Sequence, residues 1–433
     1  MTSFPQTSHL TFFIPSFMQT LPTPTTMGKV PGEDSTVPQM AHLAGAFDEV
    51  CCKFKKKASV NQFKVACVPS AQLRIESVEA FPIKVNAAEE LRAGTFTYSH
   101  YQTVLVRAVC DGLEGWGEAM TRFDPAATAL MVRYLAKEIM GREHLDVLTA
   151  WSRLWRELRI RGHTRGVDVE ALSGIEIALY DSYGKLRRKP VNRLFSEDPS
   201  EEVGVFAGPL FKSRGPLEAQ VEVAKAKGLK GTKVKVGFGV DEDLETLATV
   251  RKAWPDGMLV ADANGAYDAA MAERAAEAFA ELQLSWFEEP VLSDDWEGYA
   301  RLRGSKVRIG AGESWFVDDF EWPIEKRLVG VIEPSVSRCG GIGVAMDVAK
   351  RAERKQVGFS PMTGMNSAIS LAASLHLASA HPSIGVEFNP FPNPLQSELV
   401  EGLPEPKGGM MPVPTGPGLG VSVDLRFVKT HSG

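Results

Sequence analysis

Residues 258–265 read MLVADANG, 285–290 read SWFEEP and 307–314 read VRIGAGES: three apolar runs, each closing on a carboxylate, Asp262, Glu288 and Glu313. The acids stand roughly 25 residues apart, the length of one strand, one loop and one helix of a βα repeat. In a closed parallel barrel the C-terminal ends of neighbouring strands converge on one mouth, so acids distant in sequence become neighbours there. Three carboxylates without His or Cys among them suit a hard, oxygen-preferring cation such as Mg2+. One repeat earlier, TKVKVG (232–237) sets Lys233 and Lys235 two residues apart. In a strand this points both ammonium groups to one face and Val234 and Val236 to the other. Two lysines beside a cation are candidate bases.

Working outward, eight short β-rich segments recur from residue 203: VGVFAG, TKVKVG, MLVADANG, SWFEEP, VRIGAGES, GVIEPSVS, VGFSPMT and IGVEFN. Amphipathic helical runs such as DEDLETLATVRKAW separate them, which is the pattern of a TIM-type barrel. A doubly wound open sheet is the alternative, but no GxGxxG followed by a ribose-binding acid is present. Before the barrel, RIESVEAFPIKV, YQTVLVRAVCDG and LEGWGEAM alternate as an antiparallel sheet, and the stretch from Pro125 to about Lys189 has helical spacing. This gives an α+β first domain.

The chain has 433 residues, 44% of them apolar, enough for a large core. A net charge of −6 and a pI near 5.9 offer no basic field for nucleic acid or anionic lipid, apart from the short KFKKK at 53–57. Five cysteines, scattered apart from the Cys51–Cys52 neighbours, form neither a disulfide framework nor a CxxC pattern, so a reducing, cytoplasmic setting is expected. Residues 1–72 are rich in Ser, Thr, Pro and Phe without apolar periodicity and are read as a disordered, dispensable extension. Within them LTFFIPSFM is too short to span a bilayer and lacks the flanks of a secretory signal. No membrane association is expected.

The order of antiparallel sheet, helical region, KxK strand, DxN strand, EEP strand and GES strand resembles the enolase superfamily, in its mandelate racemase and muconate lactonizing enzyme branches. The resemblance runs from about Leu73 to Asp424 and includes MPVPTGPGLGVSVD at 411–424. It implies a modified (β/α)7β barrel (196–394), an α+β capping domain (73–195) and a C-terminal segment (395–433) returning to the cap. It further implies a homo-oligomer acting on a small carboxylate. The chemistry implied is removal of a proton α to that carboxylate, giving an enediolate stabilised by Mg2+ on Asp262, Glu288 and Glu313. Lys235 would be the general base. Lys233 would lower its pKa by like charge or donate to the substrate carboxylate. Asn264, two residues after Asp262, would assist, whereas Glu289 should point away from the ligand face.

The opposite side departs from both branches. Where a His–Asp dyad is expected, this chain has Met362 and Ser335, and the position of a second lysine holds Arg338, better suited to gripping a carboxylate than to accepting a proton. A site with one evident base favours dehydration of a sugar acid to a 2-keto-3-deoxy acid over racemisation or epimerisation. The proton for the leaving group would come from Lys235 itself, Tyr98 or His100. In LRAGTFTYSHYQT (91–103), Arg92, Thr97, Tyr98 and His100 are candidate substrate contacts from the cap, as is Glu387 at the end of the eighth strand. His163 and Arg165 are read as a solvated loop. A Schiff-base aldolase using either lysine and a ligand-binding barrel without catalysis are the remaining alternatives.

Overall fold

A computed structural model describes residues 72–142 and 145–432. The readings made for the Cys51–Cys52 pair, the 53–57 lysines and the N-terminal extension up to residue 71 lie outside the described residues. Leu73 is already part of the fold, buried and exchanging backbone hydrogen bonds with Leu145.

The cap begins with an antiparallel sheet of β1 (Ile75–Arg92), β2 (Thr97–Cys110) and β3 (Leu113–Met120). Alternation along β1 sends Val78 and Ala80 into the core. Helices α1 (Pro125–Ala136), α2 (Val147–Arg159) and α3 (Val167–Arg187) follow. Asp124 and Asp146 cap the first two by accepting from Ala126 N and Thr149 N. Gly117 and Gly174 let α3 lie directly on β3, since a Cβ on Gly117 would meet the Gly174 carbonyl oxygen at 2.1 Å.

The barrel follows as β4 (Glu202–Leu210), α4 (Leu217–Ala226), β5 (Gly231–Lys235), α5 (Val240–Ala253), β6 (Met258–Asp262), α6 (Ala269–Ala278), β7 (Trp286–Glu288), α7 (Trp296–Leu302), β8 (Ile309–Ala311), α8 (Glu321–Lys326), β9 (Val331–Ile332), α9 (Ile342–Arg354), β10 (Gly358–Phe359), α10 (Ala368–Ala380) and β11 (Val386–Phe388). This is a (β/α)7β chain, with a strand in each of the eight segments read from the sequence. The strands are parallel in the order β10-β9-β8-β7-β6-β5-β4-β11, and Ile384 N donates to Phe359 O at 2.8 Å where the two ends meet. Inside, Phe206, Val260, Trp286 and Val331 pack as an apolar floor. Outside, Val234 and Val236 join Leu247 and Val250 in the layer between strands and helices. The lysines alternating with those valines are thereby left to the interior.

Two buried glutamates of the cap sit on the starts of barrel helices. Glu118 of β3 accepts from the Thr103 hydroxyl of β2 and, at the start of α10, from Ser367 N, Ser370 N and the Ser367 hydroxyl. Glu176 of α3 accepts from Ile342 N and Gly343 N at the start of α9. Each carboxylate meets otherwise orphaned N–H groups at the positive end of a helix. Further along, Asp181 accepts from Leu419 N, and α11 (Leu425–His431) packs on β1. Among the described residues no helix is long and apolar enough to cross a membrane.

Candidate active site

Strand register aligns Lys235 with Asp262, Asp262 with Glu288, and Glu288 with Gly310, so the lysines and acids of β5, β6 and β7 share one level at the barrel mouth. Glu313 follows β8 by two residues. Lys233 and Lys235 are 2% and 4% exposed, Asp262 and Glu288 0%, Glu313 2%. The Lys233 ammonium lies 2.9 Å from Glu387 Oε2, 3.2 Å from Glu288 Oε1 and 3.5 Å from Asp262 Oδ2. Lys235 donates to Asp262 Oδ2 at 2.5 Å and to Asn264 Oδ1 at 2.7 Å, and Asn264 Nδ2 donates to Glu313 Oε1 at 2.8 Å. Asn264 holds a left-handed backbone, φ 46°, at the strand end.

The electrostatics alter one expectation. Burial and Lys233 both push the Lys235 pKa down, but Asp262, joined by Glu313 and Tyr98, outweighs them and the net shift is upward. Like charge alone does not make Lys235 a base at neutral pH; Asp262 must be engaged elsewhere. For Lys233, burial is likewise overcome, by Glu288 and Glu387, and the pKa stands well above its usual value. Burial, then Asp262 and Glu333, raises the Glu288 carboxyl well above the carboxylate range. Burial would raise Glu313 too, but Arg122 and then Lys235 prevail and hold it at about 2.

No three His, Cys, Asp or Glu side chains among the described residues are gathered as a ready ligand group, because the lysine ammonium groups stand between the acids. The donor set nevertheless fits a divalent cation. Asp262, Glu288, Glu289, Glu313, Glu333 and Glu387 outnumber Lys233, Lys235, Arg122 and Arg338, and all of these acids are at least 97% buried. Glu288 Oε2, Glu333 Oε2 and Glu387 Oε1 are buried without a hydrogen-bond partner. Such oxygens call for added positive charge, and an all-oxygen set suits magnesium.

Above the lysines lies a cavity of about 310 Å³ that the cap lines from its far side. Thr97, Tyr98 and His100 line it from β2, opposite Lys235, Met362 and Glu387 from the barrel. Ser99 Oγ lies 2.7 Å from His100 Nδ1. Burial raises the Tyr98 pKa despite Arg122 and Lys235, keeping its hydroxyl a proton donor. The hairpin tip is docked closely: Thr95 Oγ1 donates to Asn264 O, and a Cβ on Gly94 would lie 2.5 Å from Gly237 O.

Two expected contacts fall elsewhere. Arg338 is absent from the cavity wall; its guanidinium lies 4.9 Å over the Phe316 ring and 3.6 Å from Glu170 of α3, where cap and barrel meet. Arg92 is exposed and pairs with Glu90. His163 and Arg165 pair with Asp168 and Asp319 at the surface. Glu289 makes no lysine contact but is not simply turned outward: with φ 39° it is buried and accepts from Ser314 N and Oγ. Burial and then Glu313 lift its carboxyl to about 7.

Sequence reasoning missed Arg122 and Glu333. Arg122, just past β3, lines the cavity, donates to Glu313 Oε1 at 3.0 Å and lies 5.6 Å over the Phe96 ring. Glu333 follows β9, and its Oε1 accepts from Trp286 Nε1 at 3.1 Å beneath the lysines. The motif VIEP, like FEEP, ends an apolar strand on a carboxylate before proline, so Glu333 carried a usable signal.

A capped (β/α)7β barrel with lysines and acids converging at its mouth defines a class of enzyme fold, and the comparisons narrow it. Residues 78–196 match the mandelate racemase / muconate lactonizing enzyme N-terminal domain, and residues 217–427 match the enolase C-terminal domain-like model. The chain belongs to the mandelate racemase / muconate lactonizing enzyme family of the enolase superfamily. It is 29% identical to a D-galactarolactone cycloisomerase of Agrobacterium fabrum over 81% of this chain and 97% of the relative. It is 28% identical to an arabinonate dehydratase of Saccharolobus solfataricus, covering 72% and 86%. A racemase from Streptomyces coelicolor solved with bound magnesium superposes with a TM-score of 0.76 at 26% identity, covering 83% and 100%.

Proposed function

We propose that the protein removes the proton α to the carboxylate of a sugar acid and expels the β-oxygen, giving a 2-keto-3-deoxy acid, with dehydration as the simplest form. The observation that carries this reading is the one-sided mouth: Lys235 faces the cavity on one side, and Met362 stands in place of a second base on the other. The dehydratase and cycloisomerase relatives support it. Asp262, Glu288 and Glu313 would hold a magnesium ion, which when bound supplies the concentrated positive charge that an α-carbanion beside a carboxylate requires.

Lys235 Nζ takes the α-proton once Asp262 no longer holds it charged. Asn264, bonded to Lys235 and Glu313, keeps base and acid in register. Glu387 and Lys233 form the polar floor, and Tyr98 and His100 in the cap exclude water and offer protons to the departing oxygen. Racemisation lacks a second base on the β9–β10 side. Incubation with sugar acids and Mg2+ should yield a semicarbazide-reactive keto acid. A set of aldonates, aldarates and their ring forms that gives no keto product, with or without Mg2+, would overturn the reading.

A further inference from the structure

Arg122 reaches the site from the cap, two residues past the end of β3. Its Nη2 donates to Glu313 Oε1 at 3.0 Å, the oxygen that also accepts from Asn264 Nδ2 at 2.8 Å. Asn264 in turn accepts from Lys235 at 2.7 Å. Three hydrogen bonds therefore run from the base through Asn264 and Glu313 to the guanidinium. The Phe96 ring lies against both cations, with Lys235 Nζ 5.9 Å and the Arg122 guanidinium carbon 5.6 Å from its centroid, so base and guanidinium border one patch of the cavity. About a fifth of the Arg122 side chain, 22%, stays accessible. A guanidinium carries five N–H donors in a planar fork, of which Glu313 takes one, and Nε is buried without a partner. Unspent donors beside the base are placed for an oxygen of the substrate.

Resting on the β-elimination reading above, we propose that Arg122 is a catalytic residue of the cap, a guanidinium that donates to the substrate's α-carboxylate as the α-proton leaves. The α C–H bond breaks, its proton passes to the unprotonated Lys235 amine, and its electron pair spreads onto the carboxylate oxygens, which go from one negative charge to two. A donor aimed at those oxygens strengthens in step with the charge and so favours the transition state over the bound acid. The α-carbon has to stand within reach of Lys235 Nζ, which brings its carboxylate to the patch that Arg122 borders. Supply from the cap adds a condition. The guanidinium is in place only while the cap is seated, as it is here with Thr95 Oγ1 donating to Asn264 O and Gly94 against Gly237. Proton removal is thereby tied to the seating that excludes water. Arg338 is no substitute, because it is absent from the cavity wall and turned to Phe316 and Glu170.

The test compares two ligands on the full chain at saturating Mg2+ by calorimetry: oxalate, a planar dianion with the charge of the enediolate, and glycolate, a 2-hydroxy acid with the single charge of the ground state. Arg122→Gln should weaken oxalate about 100-fold and glycolate no more than about 5-fold. Arg122→Lys, which keeps the charge and loses the fork, should weaken oxalate about 10-fold more than glycolate, and it carries the comparison if the Gln variant does not fold. Arg338→Gln removes an equal charge away from the cavity and should leave the ratio of the two affinities within about 3-fold of wild type. With any sugar acid that the wild type turns over, Arg122→Gln should lower kcat about 100–1000-fold and leave KM nearly unchanged. Equal weakening of oxalate and glycolate, unchanged oxalate affinity, or the same change of ratio in Arg338→Gln overturns the proposal. Absence of α-proton exchange in D2O with every sugar acid overturns the β-elimination reading instead, an outcome the two affinities do not depend on.

Discussion

Strands β5 to β7 end in Lys235, Asp262 and Glu288, and Glu313 follows β8; past β9 and β10 come the buried Ser335 and Ser337 and the cavity-lining Met362 and Met365. The first side is a buried lattice of opposite charges, in which every lysine is held by a carboxylate and every acid is shaped by a cation. The second, beyond Glu333 at the end of β9, carries thioethers and hydroxyls that bond to one another and to Asn366. Elimination needs charge where the α-carbon becomes a carbanion and can leave the other face of the substrate untouched. Inversion would need a base on both. The asymmetry is therefore the feature that separates the proposed chemistry from that of a racemase on the same fold.

The largest effect is expected on the charged side. Lys235→Ala should lower turnover and α-proton exchange by at least ~10²–10⁴-fold, the usual contribution of general-base catalysis. Mg2+ affinity by calorimetry should stay unchanged or tighten, since an ammonium is not a ligand. Next, Glu288→Gln keeps the shape and removes one charge; Mg2+ affinity and turnover should fall together by ~10–100-fold, with partial recovery at high Mg2+. Undiminished Mg2+ binding would remove Glu288 from the ligand set.

Arg122→Gln tests how the cap tunes that side. Glu313 is held at about 2, below its ordinary value, so its paired carboxylate stabilises the fold above the ordinary carboxylate range, and the contribution is lost as pH falls toward 2. The variant should be less stable by on the order of 3 kcal/mol near neutral pH, with the gap to wild type closing as pH drops from about 4.5 to 2 in thermal melts. A gap that widens in acid would contradict the pairing. The smallest effect is expected behind the apolar side, where Glu118→Ala strands the Ser367 and Ser370 N–H groups at the start of α10. It should cost about 1–2 kcal/mol in denaturant unfolding.

The charged side was also the more legible one. Lys233, Lys235, Asp262 and Glu288 announce themselves because a strand alternates with period two and its last residue faces the barrel mouth. The eight strands were readable for the same reason. Arg122 was hidden because it reaches Glu313 from a cap loop 191 residues away, and no local period encodes that approach. The Arg338 pairing with Glu170 was not legible either, because Glu170 comes from α3 of the cap. The pKa of Lys235 could not be read from the KVK spacing either, since a carboxylate on the neighbouring strand decides its direction.

The central claim, a single base on one side of the substrate, is tested most directly by running the reaction in D2O with Mg2+ and recovering unreacted sugar acid for NMR. Wild-type protein should place deuterium at the α-carbon with retained configuration and no epimer, and Lys235→Ala should place none. Deuterium appearing in the epimer, or normal exchange in Lys235→Ala, would contradict the account.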